Sequence, residues 1–112
     1  GYPNFFLSVG PNSAPNHAAG VNMVIEAQLQ YIIEALDLLV ASGAHAIEPT
    51  LAAYEDWNRR VEAQMKLMVW THPKARSYYL ASTGRNWVSS PFRLADYWAM
   101  TRAPDPAAMR LS

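Results

Sequence analysis

The chain has 112 residues, of which 51% are apolar, 16% are charged and none is cysteine. This length supports one hydrophobic core at most, and the apolar content excludes disorder over most of the chain. The lack of cysteine excludes disulfide frameworks, thiolate zinc sites and cysteine nucleophiles. No run of about 18 uninterrupted apolar residues and no basic leader is present, so we expect neither a transmembrane helix nor a signal peptide. A cytoplasmic location is the default expectation.

Charge is distributed unevenly along the chain, although the net charge is zero. Residues 1–58 hold six acidic side chains and no lysine or arginine, whereas residues 59–112 hold nine basic and three acidic side chains. Either the two halves partly neutralise each other, or the second half offers a basic surface to an anionic ligand. Because lysine and arginine are not clustered, the first interpretation is favoured, and nucleic acid is not an expected partner.

The chain opens with a turn-like tetrapeptide, residues 1–4, which is followed by the apolar run of residues 5–9. This short, aromatic and β-branched run predicts a fully buried strand. A buried strand needs neighbours on both edges, and the rest of the chain contains no comparable run. The pattern therefore predicts one strand of a sheet that other protein completes. Residues 10–20 contain two prolines and two asparagines and predict a loop.

A long first helix is predicted from Val21 to Ser42, with Gly43 as its C-terminal stop. Its polar stripe consists of Glu26, Gln30, Glu34 and Asp37. Apolar residues cover most of the remaining circumference, so the helix must be buried in a larger body or span a membrane, and the polar stripe disfavours the membrane. We therefore expect other protein to cover this helix, and the isolated chain to self-associate.

The segment after the first helix predicts a short extended piece over residues 44–49 and then a second helix over residues 51–70. Thr50 is the expected N-cap of this helix, since a threonine hydroxyl can accept a hydrogen bond from a free N–H group of the first turn. The apolar face of the helix carries methionine and aromatic residues, which indicate core packing rather than a cofactor site.

The last third of the chain predicts a β-hairpin and a short third helix. Residues 77–80 and 85–88 alternate on either side of a Ser-Thr-Gly turn, a pattern typical of a hairpin. Ser90 is the predicted cap of the third helix, with Pro91 in its first turn. The tail after Pro104 is predicted to be loose. The expected fold class is thus a mixed α/β fragment that is mainly helical.

The loop of residues 10–20 is the best candidate for a ligand site, since it joins a predicted strand to the N-terminus of a helix. A plain proline-rich turn is the alternative, and the glycine spacing does not match a dinucleotide fingerprint. His17 could polarise a carbonyl or contact a cofactor ring, or it could simply be solvated. The three histidines lack metal-ligand spacing, so no metal site is expected, and no catalytic residue emerges from the pattern.

Two groups of residues carry a family resemblance. The first comprises residues 1–6 (GYPNFF), 10–13 (GPNS), His17 and 26–28 (EAQ), and the second comprises residues 69–70 (VW), 77–79 (SYY), 90–91 (SP) and 96–98 (DYW). Together they resemble the C-terminal part of FAD-dependent Baeyer–Villiger-type monooxygenases, and the second group is most similar to the 4-hydroxyacetophenone monooxygenase branch. In that family NADPH, O2 and FAD form a flavin peroxide, which converts a ketone, often an aryl ketone, into an ester.

The resemblance implies that residues 1–43 complete a Rossmann-like FAD-binding domain and that residues 44–112 form a helical, hairpin-bearing cap. The residues implied to face the flavin are Gly10, Pro11, Asn12 and Ser13. The residues implied to aim backbone N–H groups at the flavin ring are Gly20, Val21 and Asn22. His17 is implied to lie beside the flavin or the substrate. Such N–H groups stabilise negative charge on a flavin.

Several family signatures are missing from this chain, including both dinucleotide fingerprints and the histidine-containing signature. The chain by itself is therefore expected to bind neither FAD nor NADPH and to be inactive, with the N-terminal part of the same enzyme as its partner. The alternative is a non-enzymatic helical module, whose first helix pairs with another protein or with a second copy.

Overall fold

The structure, a computed structural model, describes residues 1–15 and 20–112. The helices are α1 (Val21–Ser42), α2 (Leu51–Met65) and α3 (Leu94–Met100), the strands are β1 (Ala14–Pro15), β2 (Ile47–Pro49), β3 (Ser89–Ser90) and β4 (Met109–Leu111), and two 3-10 turns cover Val69–Thr71 and Pro106–Ala108. β1 pairs with β3 in parallel, and β2 pairs with β4 in antiparallel orientation. Within the described ranges, no helix is both long and apolar enough to cross a membrane.

The first helix is confirmed at both ends, since α1 begins at Val21 and ends at Ser42. Gly43 adopts a left-handed conformation with φ of 68° and donates its N–H to the carbonyl oxygen of Val40. A residue without a Cβ atom adopts this conformation at little cost, so glycine ends the helix where the sequence predicts.

The second helix starts as predicted but is shorter. The hydroxyl oxygen of Thr50 accepts a hydrogen bond from the N–H of Ala53 at 3.2 Å, which confirms the N-cap. α2 ends at Met65 rather than near residue 70. Beyond that point the N–H of Met68 bonds to the carbonyl oxygen of Met65, three residues back, so the last part is a tighter turn and not a continuation of the α-helix.

The tail after Pro104 is not loose, so this prediction was wrong. β4 pairs with β2, which occupies the predicted extended piece of residues 44–49, and Arg110 forms an ion pair with Glu48. A strand partner more than 60 residues away satisfies the backbone of the tail, and composition alone does not reveal such a partner.

The predicted buried strand of residues 5–9 is not a strand in the structure, and its side chains are exposed except for the half-buried Phe6. Phe5 is 69% exposed and Leu7 is 59% exposed. Val9 has a positive φ of 52°, a conformation that β-branched residues rarely adopt, and it bends the chain. A strand requires backbone partners, and none of the strands formed by the described residues pairs with this segment.

The predicted hairpin is reduced to a single antiparallel bridge between Leu80 and Asn86. Its turn is as expected, because Gly84 has a φ of 80° and donates its N–H to the carbonyl oxygen of Ala81 at 2.8 Å. The strands end early because the chain after Asn86 turns away and pairs with β1.

The third helix begins at Leu94, with Arg93 at the N-cap position, so the prediction that Ser90 caps it was wrong. Ser90 instead lies in β3 opposite Pro15, and this pairing holds it in an extended conformation. The buried core forms where α3 meets the first half of α1. Its residues are Val24, Ala27 and Tyr97, with Phe92, Leu94, Trp98 and Met100 packed against them.

Candidate functional site

Residues 10–13, here called the 10–13 turn, are held by a segment from the far end of the chain. Asn12 is 8% exposed, and its side-chain amide donates hydrogen bonds to the carbonyl oxygens of Asn86 at 2.9 Å and Ser89 at 3.1 Å. The backbone N–H of Asn12 donates to the carbonyl oxygen of Trp87 at 2.9 Å. Asn12 is therefore the residue that docks the turn onto residues 86–90, here called the 86–90 segment.

Asn86 shapes the 86–90 segment from within. Its side-chain oxygen accepts hydrogen bonds from the N–H groups of Val88 at 3.1 Å and Ser89 at 3.0 Å, and its amide donates to the Ser89 hydroxyl at 3.1 Å. Sequence reasoning placed Asn86 in a hairpin strand and missed this role. The sequence signal for this role is the asparagine itself, because asparagine is depleted in strands and its side chain favours local turns.

The 10–13 turn itself is tight. Asn12 has a positive φ of 56°, which asparagine tolerates better than most residues. The N–H of Ser13 donates to the carbonyl oxygen of Gly10 at 3.2 Å, and the Ser13 hydroxyl donates to the same oxygen. Asn12 and Ser13 are buried, whereas Pro11 is exposed, so the turn presents its Pro11 edge outward.

Among the described residues, none covers the N-terminus of α1 on the side of Gly20. No described side chain caps the helix there, and the first turn contains no acidic residue. A Cβ atom built on Gly20 would meet nothing within 4 Å among the described atoms, and Val21 and Asn22 are exposed. An uncapped helix start carries partial positive charge, so this end suits a negatively charged or electron-rich group. His17 lies outside the described residues.

A cleft of about 740 Å³ lies next to the 10–13 turn, and we call it the central cleft. Its wall includes Gly10, Pro11 and Ser13. Its further lining includes the aromatic residues Tyr31, Trp57 and Tyr97, the amide of Gln28, and the charged side chains of Glu48, Asp56, Arg60 and Asp105. The lining is mostly apolar with a few polar groups, which is the usual make-up of a site for a small organic molecule.

Gln28, which lines the central cleft, links α1 to α3 and to residues 8–9. Its amide donates to the phenolic oxygen of Tyr97 at 2.8 Å, and its side-chain oxygen accepts from the Val9 N–H at 2.7 Å and the Ser8 hydroxyl at 3.1 Å. The sequence supplied Gln28 only as part of the resemblance, and its bridging role depends on contacts that no local pattern reveals.

Two tyrosines of the central cleft remain protonated at neutral pH. Burial raises the pKa of Tyr31, and the negative charge of Asp105 raises it further. Burial also raises the pKa of Tyr97, although the hydrogen bond from Gln28 opposes the shift. Because loss of the phenolic proton is disfavoured, both hydroxyls can serve as hydrogen-bond donors within the cleft.

Curated relatives cover nearly the whole chain. A Baeyer–Villiger monooxygenase of Streptomyces coelicolor is 37% identical over 96% of the chain, and one of Pseudomonas aeruginosa is 31% identical over 100% of it. The FAD-binding monooxygenase tazF of Aspergillus terreus is 27% identical over 63% of the chain. The chain is homologous to flavin monooxygenases. It spans 21% of the length of each of the two bacterial relatives and 12% of tazF.

The homology confirms the predicted resemblance to flavin monooxygenases. No protein-family model matches the chain, and no solved structure matches it. The roles predicted for the 10–13 turn, for His17 and for Gly20, Val21 and Asn22 stay predictions. In residues 1–15 and 20–112, no three histidine, aspartate or glutamate side chains lie close enough together to hold a metal ion.

The raised pKa of Tyr97 predicts how stability depends on alkaline pH. An unfolded tyrosine ionises near pH 10, whereas folded Tyr97 keeps its proton to higher pH, so the free energy of unfolding falls as pH rises above about 10. Tyr97→Phe removes this contribution, and we expect a shallower fall in urea titrations between neutral pH and pH 11. Tyr2→Phe, which changes an exposed tyrosine, is the control. Equal falls in wild type and Tyr97→Phe would contradict the prediction.

Proposed function

We propose that the chain is part of an FAD-dependent monooxygenase that uses NADPH and O2 to convert ketones, aryl ketones in particular, into esters by Baeyer–Villiger insertion. The observation that carries the proposal is the position of the central cleft, whose wall joins the 10–13 turn to the aromatic side chains of Tyr31, Trp57 and Tyr97. An aryl ketone has a flat apolar body and one acceptor oxygen, which matches aromatic walls with phenolic donors. The names of the two bacterial relatives support this reaction class.

Among the described residues, the start of α1 is the part that fits a flavin. The helix end beside Gly20 has open space and no described side-chain cap, so it can receive the electron-rich edge of the ring. The name of tazF supports FAD as the cofactor in this family. When bound, FAD supplies the electron transfer from NADPH to O2 that the insertion of one oxygen atom requires.

The residues of this chain bind and orient the ketone under this proposal. The aromatic walls contact the flat body of the ketone, and the Tyr31 hydroxyl, which keeps its proton, donates a hydrogen bond to the ketone oxygen. Gln28 orients the Tyr97 hydroxyl through the bond of 2.8 Å. The chain thus supplies substrate positioning rather than a nucleophile or a general base.

The remaining parts of the proposal concern the longer enzyme. Residues 1–43 complete a Rossmann-like FAD-binding domain, residues 44–112 cap the substrate site, and the nearest branch is that of 4-hydroxyacetophenone monooxygenase. Alone, the 112-residue chain holds no FAD or NADPH and is inactive. The relatives' length supports a longer enzyme, since the chain spans about a fifth of the two bacterial enzymes.

The proposal is tested on the enzyme that contains this chain. Gly20→Val places a branched side chain in the open space beside the helix start, where it touches no described residue, and we expect the Kd for FAD to rise about ten-fold or more. Ala52→Val adds bulk at an exposed position in the first turn of α2 and is the matched control. FAD content is measured by absorbance, and ester formation from acetophenone by gas chromatography.

One outcome would refute the whole proposal, and a second would refute only one part of it. The first is a purified wild-type enzyme that holds no flavin and forms no ester from any ketone tested. The second, which would refute only the placement of the flavin, is unchanged FAD affinity and turnover in Gly20→Val.

A further inference from the structure

We propose that Asn86 is a positioning residue that fixes the 10–13 turn from the far end of the chain, and through this turn the flavin that the turn is proposed to face. The flavin part of this inference rests on the proposed function. The positioning of the turn does not, since it follows from the contacts of the described residues.

Asn86 acts by aiming two carbonyl groups. It is 2% exposed, and its side-chain oxygen accepts the N–H groups of both Val88 and Ser89, which curls the backbone of the 86–90 segment. In this curled form the carbonyl oxygens of Asn86 and Ser89 converge on the side-chain nitrogen of Asn12 at 2.9 Å and 3.1 Å. Both N–H protons of the Asn12 side-chain amide then have an acceptor. The two carbonyl oxygens therefore favour asparagine at position 12, because its side chain carries two such donors.

The backbone of the 10–13 turn docks on the same segment. The N–H of Asn12 donates to the carbonyl oxygen of Trp87 at 2.9 Å, and the N–H of Ala14 donates to that of Val88 at 3.2 Å. With the two side-chain bonds of Asn12, four hydrogen bonds join residues 12–14 to residues 86–89, three of them from the 10–13 turn and one from the first residue of β1. The geometry of the 86–90 segment therefore sets the place of the turn.

The conformation of Asn12 makes this support necessary. Its φ of 56° lies in the left-handed region, which persists at a non-glycine residue when surrounding contacts hold it in place. Without the Asn86 side chain, the N–H groups of Val88 and Ser89 lose their acceptor, and the two carbonyl groups are free to turn away from Asn12. We expect the turn to open more often as a result.

The first experiment measures amide hydrogen exchange by NMR on the 112-residue chain. In Asn86→Ala we expect the Asn12 and Ala14 amides to exchange about ten-fold faster or more, with helix amides in α2 unchanged. Asn86→Asp keeps an acceptor for Val88 and Ser89 and should restore most of the protection. Thr83→Ala, at the exposed tip of the neighbouring turn, is the control and should leave both amides as in wild type.

A second variant covers the case in which Asn86→Ala does not fold. Asn12→Gly accepts the positive φ but removes both side-chain bonds, so the Ala14 amide should again exchange faster. Unchanged exchange of Ala14 in Asn12→Gly, or of both amides in a folded Asn86→Ala variant, would overturn the inference.

The second experiment uses the FAD-loaded enzyme that contains this chain. Asn86→Ala should shift the visible absorption spectrum of the bound FAD and lower kcat, with little change in the KM for the ketone, whereas Thr83→Ala should do neither. An Asn86→Ala enzyme with an unaltered FAD spectrum and kcat overturns the flavin part of the inference. A wild-type enzyme that holds no FAD overturns the proposed function instead. The hydrogen-exchange results on the 112-residue chain then decide whether Asn86 positions the 10–13 turn.

Discussion

Tyr97→Ala is expected to lower the free energy of unfolding by about 3 kcal/mol, because it leaves a large cavity in the core of the chain. Tyr97 is 7% exposed and is the buried residue of α3. It packs with Val24 and Ala27 of α1 in the buried cluster that joins the two helices. The loss should be measured from urea unfolding followed by circular dichroism.

Two further variants separate packing from hydrogen bonding. Tyr97→Phe keeps the ring and removes only the bond with Gln28, so its expected cost is about 1 kcal/mol. Tyr2→Ala truncates an exposed tyrosine and should leave the urea midpoint unchanged. A Tyr97→Ala variant as stable as Tyr97→Phe would show that the ring does not hold α3 on α1.

Self-association of the isolated chain is the second large effect expected. One side of α1 carries an exposed stripe of apolar residues, each at least 45% exposed: Leu29, Ile33, Leu36 and Val40. Their spacing of four, three and four residues places them on one face of the helix, as in helices that pair along a seam. We expect dimers or larger species at sub-millimolar concentration, measured by sedimentation equilibrium.

Charged substitutions within the exposed stripe of α1 test its role in self-association. The double variant Ile33→Glu and Val40→Lys should be monomeric over the same concentration range. Glu26→Lys alters the exposed end of the polar stripe and should associate like wild type. A wild-type chain that sediments as a monomer throughout would contradict the prediction, and it would also remove the observation that favours the alternative function, a helical interaction module.

Features with local causes were predicted well. The bounds of α1 follow from Gly43 and from the apolar pattern, and the start of α2 follows from Thr50, because a cap acts on N–H groups within three residues. The choice of the loop of residues 10–20 as the candidate site stays a prediction, and residues 16–19 of this loop lie outside the described residues. Its docking partner was not recognised.

Features that depend on distant pairing were predicted poorly. The apolar run of residues 5–9 has strand composition, yet strand formation depends on a backbone partner, and the run lies exposed without one among the described residues. Ser90 has the composition of a helix cap, yet its pairing with Pro15 places it in a strand. The central cleft and the bridging role of Gln28 also arise from contacts between separate elements, and sequence periodicity does not reveal such contacts.

The backbone of residues 45–47, at the start of β2, binds segments from both ends of the chain. Ile47 accepts a hydrogen bond from the Asn4 N–H at 3.0 Å, and the carbonyl oxygen of Ser112 accepts from the N–H groups of His45 and Ala46 at 2.7 Å each. The first and the last residues thus attach to the same short stretch of backbone. A substitution that disrupts residues 45–47 would therefore free the segment around Asn4 and the segment around Ser112 at once, so we expect the two segments to open together.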